Sequence, residues 1–203
     1  MKNTAEQECV IIQQSKRFTG IVYLDLNDYY EYCLKETING LWLEFGVYQG
    51  DTIKILSQLS PPDTKIYGFD SFEGLPEEWH IGVNNTFRKG KFACNIPNFK
   101  NLDIQLVVGW FEDTLPKFTE QHPEQCAVIH IDSDIYSSAK TIFNNLRDRI
   151  VPGTIILFDE LAGNEIYPYD LYAEGEMKAW LEEDFKYEYL AWTHGPQVGV
   201  RIL

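Results

Sequence analysis

Two short stretches carry four carboxylates that could work together. "HIDSDIY", residues 130–136, holds Asp132 and Asp134, and "FDE", residues 158–160, holds Asp159 and Glu160. Each stretch closes an apolar run of the kind that forms a buried strand. If the two strands are neighbours, the four acids meet at one edge of a sheet. Carboxylates that meet repel one another unless protons or a cation neutralise them. Oxygen donors favour hard ions such as Mg²⁺, Ca²⁺ or Mn²⁺ over zinc. Asp132, Asp159 and Glu160 suit such an ion. Asp134, just ahead of "SSAK", also suits the cap of a helix.

A second constellation lies earlier, in "LEFGVYQGDT", residues 43–52. Glu44 ends an apolar run, and Gly46 and Gly50 follow at a spacing of four. Glycine permits positive φ and a close approach of backbone to ligand. The pattern is ExGxxxG, not the GxGxxG that brings amides against a pyrophosphate. A nucleoside without phosphates needs a weaker anion cradle. It can use an acid near a cationic group. S-adenosylmethionine, with its ammonium and sulfonium, is such a ligand, and Glu44 would face its amino-acid end. The same glycines could equally serve only to pack a helix on a strand. "YGFD" adds Asp70, twenty residues after Gly50, where an acid can accept hydrogen bonds from both ribose hydroxyls. "VVGWFED" offers Gly109 and Trp110 beside an adenine.

Regular elements must position these residues. "LNDYYEYCLKETING" reads as a helix capped by Asn27 and stopped at Gly40. "LWLEFG", "KIYGFD", "IQLVVGWF", "CAVIHID" and "GTIILFDE" read as buried strands. Helical spacing separates them in "DTIKILSQLS", around "TLPKFTEQHP" and in "SSAKTIFNNLRDRI". "EGEMKAWLEEDF" is a further helix, and "YEYLAWTHGPQVGVRIL" is two strands about a His-Gly-Pro turn. The alternation predicts a parallel sheet covered on both faces, with an antiparallel terminal hairpin. Ligands on such sheets lie beyond the carboxyl ends of the strands. The 203 residues fit a single domain, with residues 1–40 as a helical extension or lid and residues 71–103 as a long loop on the substrate side.

The formal net charge is −14, with no basic stripe, which argues against nucleic acid and anionic membranes. No apolar run approaches the ~20 residues of a membrane span. The N-terminal residues lack a signal-peptide core, so a cytoplasmic protein is expected. Cys9, Cys33, Cys94 and Cys126 form no CxxC and read as buried thiols. His130 reads as a core histidine, His80 and His194 as loop residues that are either solvated or within reach of substrate, and His122 as exposed. No Ser-His-Asp or Cys-His arrangement is present. The aromatic-rich N-terminal third could pair two copies of the chain.

"LEFGVYQGDT", "YGFDSFEGLPE", "GWFEDTLP", "IHIDSDIYSSAKTIFNNL" and "PGTIILFDE" together resemble the class I S-adenosylmethionine-dependent methyltransferases. More closely they resemble the macrocin O-methyltransferase (TylF-like) family, which modifies sugars of macrolide antibiotics. The resemblance runs from about residue 41 to the C-terminus. It implies a Rossmann-like α/β sandwich with a seven-stranded sheet whose last hairpin supplies the antiparallel strand. It implies that Glu44, Gly46, Gly50, Asp70 and Ser71 line the donor pocket. It implies Mg²⁺ dependence, with Asp132, Asp159 and Glu160 as ligands. Related members commonly show Asp-Asp where this chain has Asp159–Glu160. Magnesium-dependent catechol methyltransferases carry a lysine three residues after the first ligand; Ile135 stands here, so a lysine base is unsupported.

The expected reaction is methyl transfer to a hydroxyl of a small molecule, a sugar or other natural product. Asp132 is the candidate proton acceptor, and Trp79, Trp110 and Tyr136 could exclude water. Two rivals remain. The DSD of Asp132–Asp134 matches the DxD of metal-dependent glycosyltransferases, although ExGxxxG and Asp70 then have no task. A non-catalytic protein could also have kept the donor pocket.

Overall fold

A computed structural model of the chain describes residues 4, 7–8, 25–82, 84–100, 102–163 and 171–203. The order along the chain is α1 (Leu26–Cys33), β1 (Leu41–Phe45), α2 (Asp51–Leu59), β2 (Ile66–Asp70), β3 (Trp79–Gly82), β4 (Asn85–Phe87), β5 (Ile104–Val108), α3 (Phe111–Gln121), β6 (Cys126–Ile131), α4 (Tyr136–Leu146), β7 (Ile155–Phe158), α5 (Glu176–Leu181), β8 (Tyr187–Trp192) and β9 (Val198–Ile202). Seven strands form one sheet in the order β5-β2-β1-β6-β7-β9-β8. β5, β2, β1, β6 and β7 pair in parallel, and β9 pairs antiparallel with both β7 and β8. β9 therefore runs against the other six. Among the described residues no helix is long and apolar enough to cross a membrane.

Strand periodicity explains the layers. All five residues of β1 are buried. Leu41, Leu43 and Phe45 point to one face, where Leu115 and Phe118 of α3, Phe143 of α4 and Trp180 of α5 pack. Trp42 points to the other, among Tyr29 and Tyr30 of α1 and Ile53 and Leu56 of α2. Each large apolar side chain so buried contributes about 1.5–3 kcal/mol. Helices on both faces leave the carboxyl ends of the central strands as the open rim.

Several local readings change. Asp25, not Asn27, caps α1: its carboxylate accepts from the backbone N–H of Asn27 at 2.7 Å and of Asp28 at 3.1 Å. α1 ends at Cys33, well before Gly40. Residues 71–103 are not plain loop; they hold the β3–β4 hairpin. His80 lies within β3, its Nδ1 2.8 Å from Thr86 Oγ1. His122 is half-buried and stacks on Phe118, ring centroids 4.3 Å apart. Burial pushes the thiols of Cys33 and Cys126 up to about 12, whereas Cys94 is partly exposed. Cys9 and most of the proposed lid lie outside the described residues.

Candidate active site

At the rim lies a cavity of about 260 Å³. It draws its walls from the ends of five strands and the segment that follows β2. On one side stand Gly46, Asp70, Ser71, Gly109 and Trp110; on the other stand Asp132, Asp134 and Glu160. Trp79, Tyr48 and Phe92 close it from the hairpin side.

The turn after β1 is built to fit tightly. Gly46 has φ +90° and stands against the backbone after β6; a Cβ there would lie 1.8 Å from the Asp132 carbonyl oxygen. The Asp132 N–H donates to the Phe45 carbonyl at 2.9 Å, which joins the two strand ends. Asp70 holds the same turn. Its Oδ2 accepts from the N–H of Val47 at 2.9 Å and of Tyr48 at 2.7 Å, and its Oδ1 accepts from the Phe72 N–H at 2.7 Å. A carboxylate offers about four lone-pair sites, so Asp70 has little capacity left for a ligand in this arrangement. Ser71 Oγ accepts from the Glu73 N–H at 3.1 Å. Gly109 and Trp110 form the entry to α3, with Trp110 at its N-cap.

Glu44 and Gly50 stand off the cavity lining. Glu44 is on the α1–α2 face of β1 and is 1% exposed. Its Oε1 lies 3.3 Å from His130 Nδ1, and His130 Nε2 lies 3.3 Å from the Tyr30 hydroxyl. Burial pushes the Glu44 carboxyl up, and His130 opposes the shift. The sequence placed Glu44 against the ligand's amino-acid end; its carboxylate is instead engaged with a core histidine. Gly50, φ +82°, is N-cap of α2 and packs on Phe99, which lies 2.3 Å from where a Cβ would be.

The acidic half differs from the expected set in one member. Oxygens of Asp132, Asp134 and Glu160 lie within 4.8 Å of one another. Asp159 is next to them in sequence and raises all three electrostatically, but its Oδ1 is 3.3 Å from Gln197 Nε2 and it is outside the cavity lining. Asp134 does not cap α4: the N-cap is Ile135, with no side-chain cap bond. Asp134 sits instead at φ +63°, and the Ile135 N–H closes a γ-turn onto the Ser133 carbonyl at 2.7 Å. A positive φ is uncommon outside glycine, and this γ-turn is the strained form.

Burial, then mutual repulsion, pushes Asp132 and Glu160 well above the carboxylate range and Asp134 up to about 7. Glu160 Oε2 is buried without a hydrogen-bond partner among the described residues. Three clustered carboxylates with an orphaned oxygen fit a hard divalent cation, whose charge would remove the repulsion.

Sequence reasoning missed Tyr48, Leu75 and Phe92 in the lining, and it missed Glu176 altogether. Tyr48 stood inside a quoted motif, and its place between two glycines was the available signal. Tyr136 does not line this cavity; with Glu77, His80 and Glu174 it lines an adjoining open depression of about 520 Å³.

Comparison with known proteins then gives the lineage. The chain is 27% identical over 158 residues to the 8-demethyl-8-(2,3-dimethoxy-α-L-rhamnosyl)-tetracenomycin-C 4'-O-methyltransferase of Streptomyces olivaceus, a match covering 66% of this chain and 59% of that protein. It thus spans less than two thirds of that relative's length. Among solved structures, the calicheamicin methyltransferase CalS11 superposes with a TM-score of 0.65 at 24% identity, covering 87% of this chain and 77% of the other. The O-methyltransferase NovP superposes with a TM-score of 0.61 at 18% identity, covering 87% and 78%. Both share the fold, a mostly parallel sheet with its antiparallel C-terminal strand. Residues 19–167 match the family model of the macrocin O-methyltransferases (TylF), and the chain belongs to that family.

Proposed function

We propose that the protein is a Mg²⁺-dependent O-methyltransferase that moves a methyl group from S-adenosylmethionine to a hydroxyl of a small glycosylated molecule. One observation carries the reading. A single cavity is lined both by the nucleoside-type rim of Gly46, Asp70, Gly109 and Trp110 and by the carboxylates of Asp132, Asp134 and Glu160. Family membership supports methyl transfer over glycosyl transfer as the use of the DSD motif. The name of the relative, a 4'-O-methyltransferase of a rhamnosyl tetracenomycin, supports a sugar as acceptor.

In this reading Gly46 and Gly109 let backbone approach the donor, and Asp70 shapes the turn and has one lone-pair site left for a ribose hydroxyl. Trp79 and Phe92 shield the reacting end from water. Asp132 and Glu160 hold the cation, with Asp134 or Asp159 as a third ligand. A bound Mg²⁺ acts as a Lewis acid and lowers the pKa of a hydroxyl beside it. Asp132 is also the candidate acceptor of the hydroxyl proton. Holding donor and acceptor in line contributes several kcal/mol.

The test is turnover of purified protein with S-adenosylmethionine and a panel of deoxysugar glycosides, read by mass spectrometry as gain of one methylene. Activity should need Mg²⁺, disappear with EDTA and fall at least ~100-fold in Asp132→Ala. Donor binding without turnover on any acceptor would favour the non-catalytic reading.

A further inference from the structure

Glu176 opens the short helix α5 and is completely buried. A buried glutamate is rare unless its oxygens are satisfied. One of them is satisfied threefold. Oε1 accepts from the Ser133 N–H at 2.9 Å, the Asp134 N–H at 3.1 Å and the Ser133 hydroxyl at 3.2 Å. All three donors belong to the turn that carries Asp132 and Asp134.

That turn has a reason to be clamped. Asp134 is held at φ +63°, where an aspartate in a free loop would relax towards extended backbone. The start of α4 has no side-chain cap to hold it. Ser133 lies between the two acids, so fixing its amide and that of Asp134 sets the angle between their carboxylates. On the far side, the Asp132 N–H is already tied to Phe45. Glu176 supplies the remaining constraint, from a helix distant in sequence.

We propose that Glu176 is a positioning residue for the cation site: its carboxylate clamps the Ser133–Asp134 amides and so keeps Asp132 and Asp134 within reach of one ion. The inference rests on the cluster being a cation site. It makes no demand on the charge of Glu176, only on an oxygen acceptor at that place.

The experiment titrates Mn²⁺ alone, read by electron paramagnetic resonance, into the full chain and two variants, with S-adenosylmethionine affinity measured in parallel. Glu176→Met fills the space but removes the acceptor; Mn²⁺ affinity should fall by about tenfold or more, as for partners that orient metal ligands elsewhere. Glu176→Gln keeps an amide oxygen for the same donors, so Mn²⁺ affinity should stay within about threefold of wild type. Donor affinity should be unchanged in both. Wild-type Mn²⁺ affinity in Glu176→Met, or loss of donor and metal binding together, overturns the proposal. Loss of Mn²⁺ binding in Glu176→Gln overturns it too, and that arm stands even if the methionine variant does not fold. No Mn²⁺ binding by the wild type would instead remove the cation reading on which it rests.

Discussion

Asp70 shows how one residue serves both fold and site. Its two carboxylate oxygens collect three backbone N–H groups from Val47, Tyr48 and Phe72. Asp70→Ala should therefore do two things. It should weaken S-adenosylmethionine binding at least ~10-fold and lower stability by about 1–3 kcal/mol, since three amides lose a charged acceptor. Calorimetry and thermal melting of the same variant separate the two effects. Gly46→Ala is a harsher change. The new Cβ would meet the Asp132 carbonyl at 1.8 Å from a backbone at φ +90°. A loss of about 2–4 kcal/mol is expected in chemical denaturation. Glu44→Ala should cost about 2–4 kcal/mol as well, because His130 loses its buried acidic partner.

The elements that matter most are the ends of β6 and β7 with the turn between β6 and α4. They gather acids whose carboxyls are pushed up by burial and by one another, Asp134 to about 7 and Glu176 to about 8. In the unfolded chain these groups titrate near 4 (roughly). Between those values the metal-free folded state binds more protons than the unfolded state. These groups therefore contribute a fall in stability as pH rises, through the window from about 4 to about 8. Melting curves of EDTA-treated protein should show this slope. Saturating Mg²⁺ should flatten it and raise the melting temperature most at the alkaline end. A melting temperature that rises with pH in EDTA would contradict the raised carboxyl pKa values of the cluster.

At the scale of the molecule, much was legible because helices separate most of the sheet's parallel strands and the central strands β1, β6 and β7 are buried throughout. Trp42 and Leu43 had to face opposite layers, and the glycine turns had to close at the carboxyl rim. The terminal hairpin was legible as two strands about a turn, but the insertion of β9 between β7 and β8 is a tertiary choice that no local pattern encodes. The site was less legible for the same reason. Asp132 and Glu160 were readable from strand ends. Asp134 looked like a helix cap because Asp so often is one; only the fold shows it in a strained turn aimed at the cavity. Glu176 lies in an ordinary amphipathic stretch, and nothing local marks it as buried. Glu44 falls off the cavity lining because the parity of β1, not its motif, decides which face it takes: it falls with Trp42 on the side of α1. Family membership fixes the lineage.

The most direct measurement is calorimetric titration of S-adenosylmethionine into the purified chain with Mg²⁺ present. The account predicts one site per chain with a dissociation constant on the order of 1–100 μM, and no heat from nucleotide sugars in the same cell. Absence of donor binding in folded protein, or saturable binding of a nucleotide sugar instead, would contradict it.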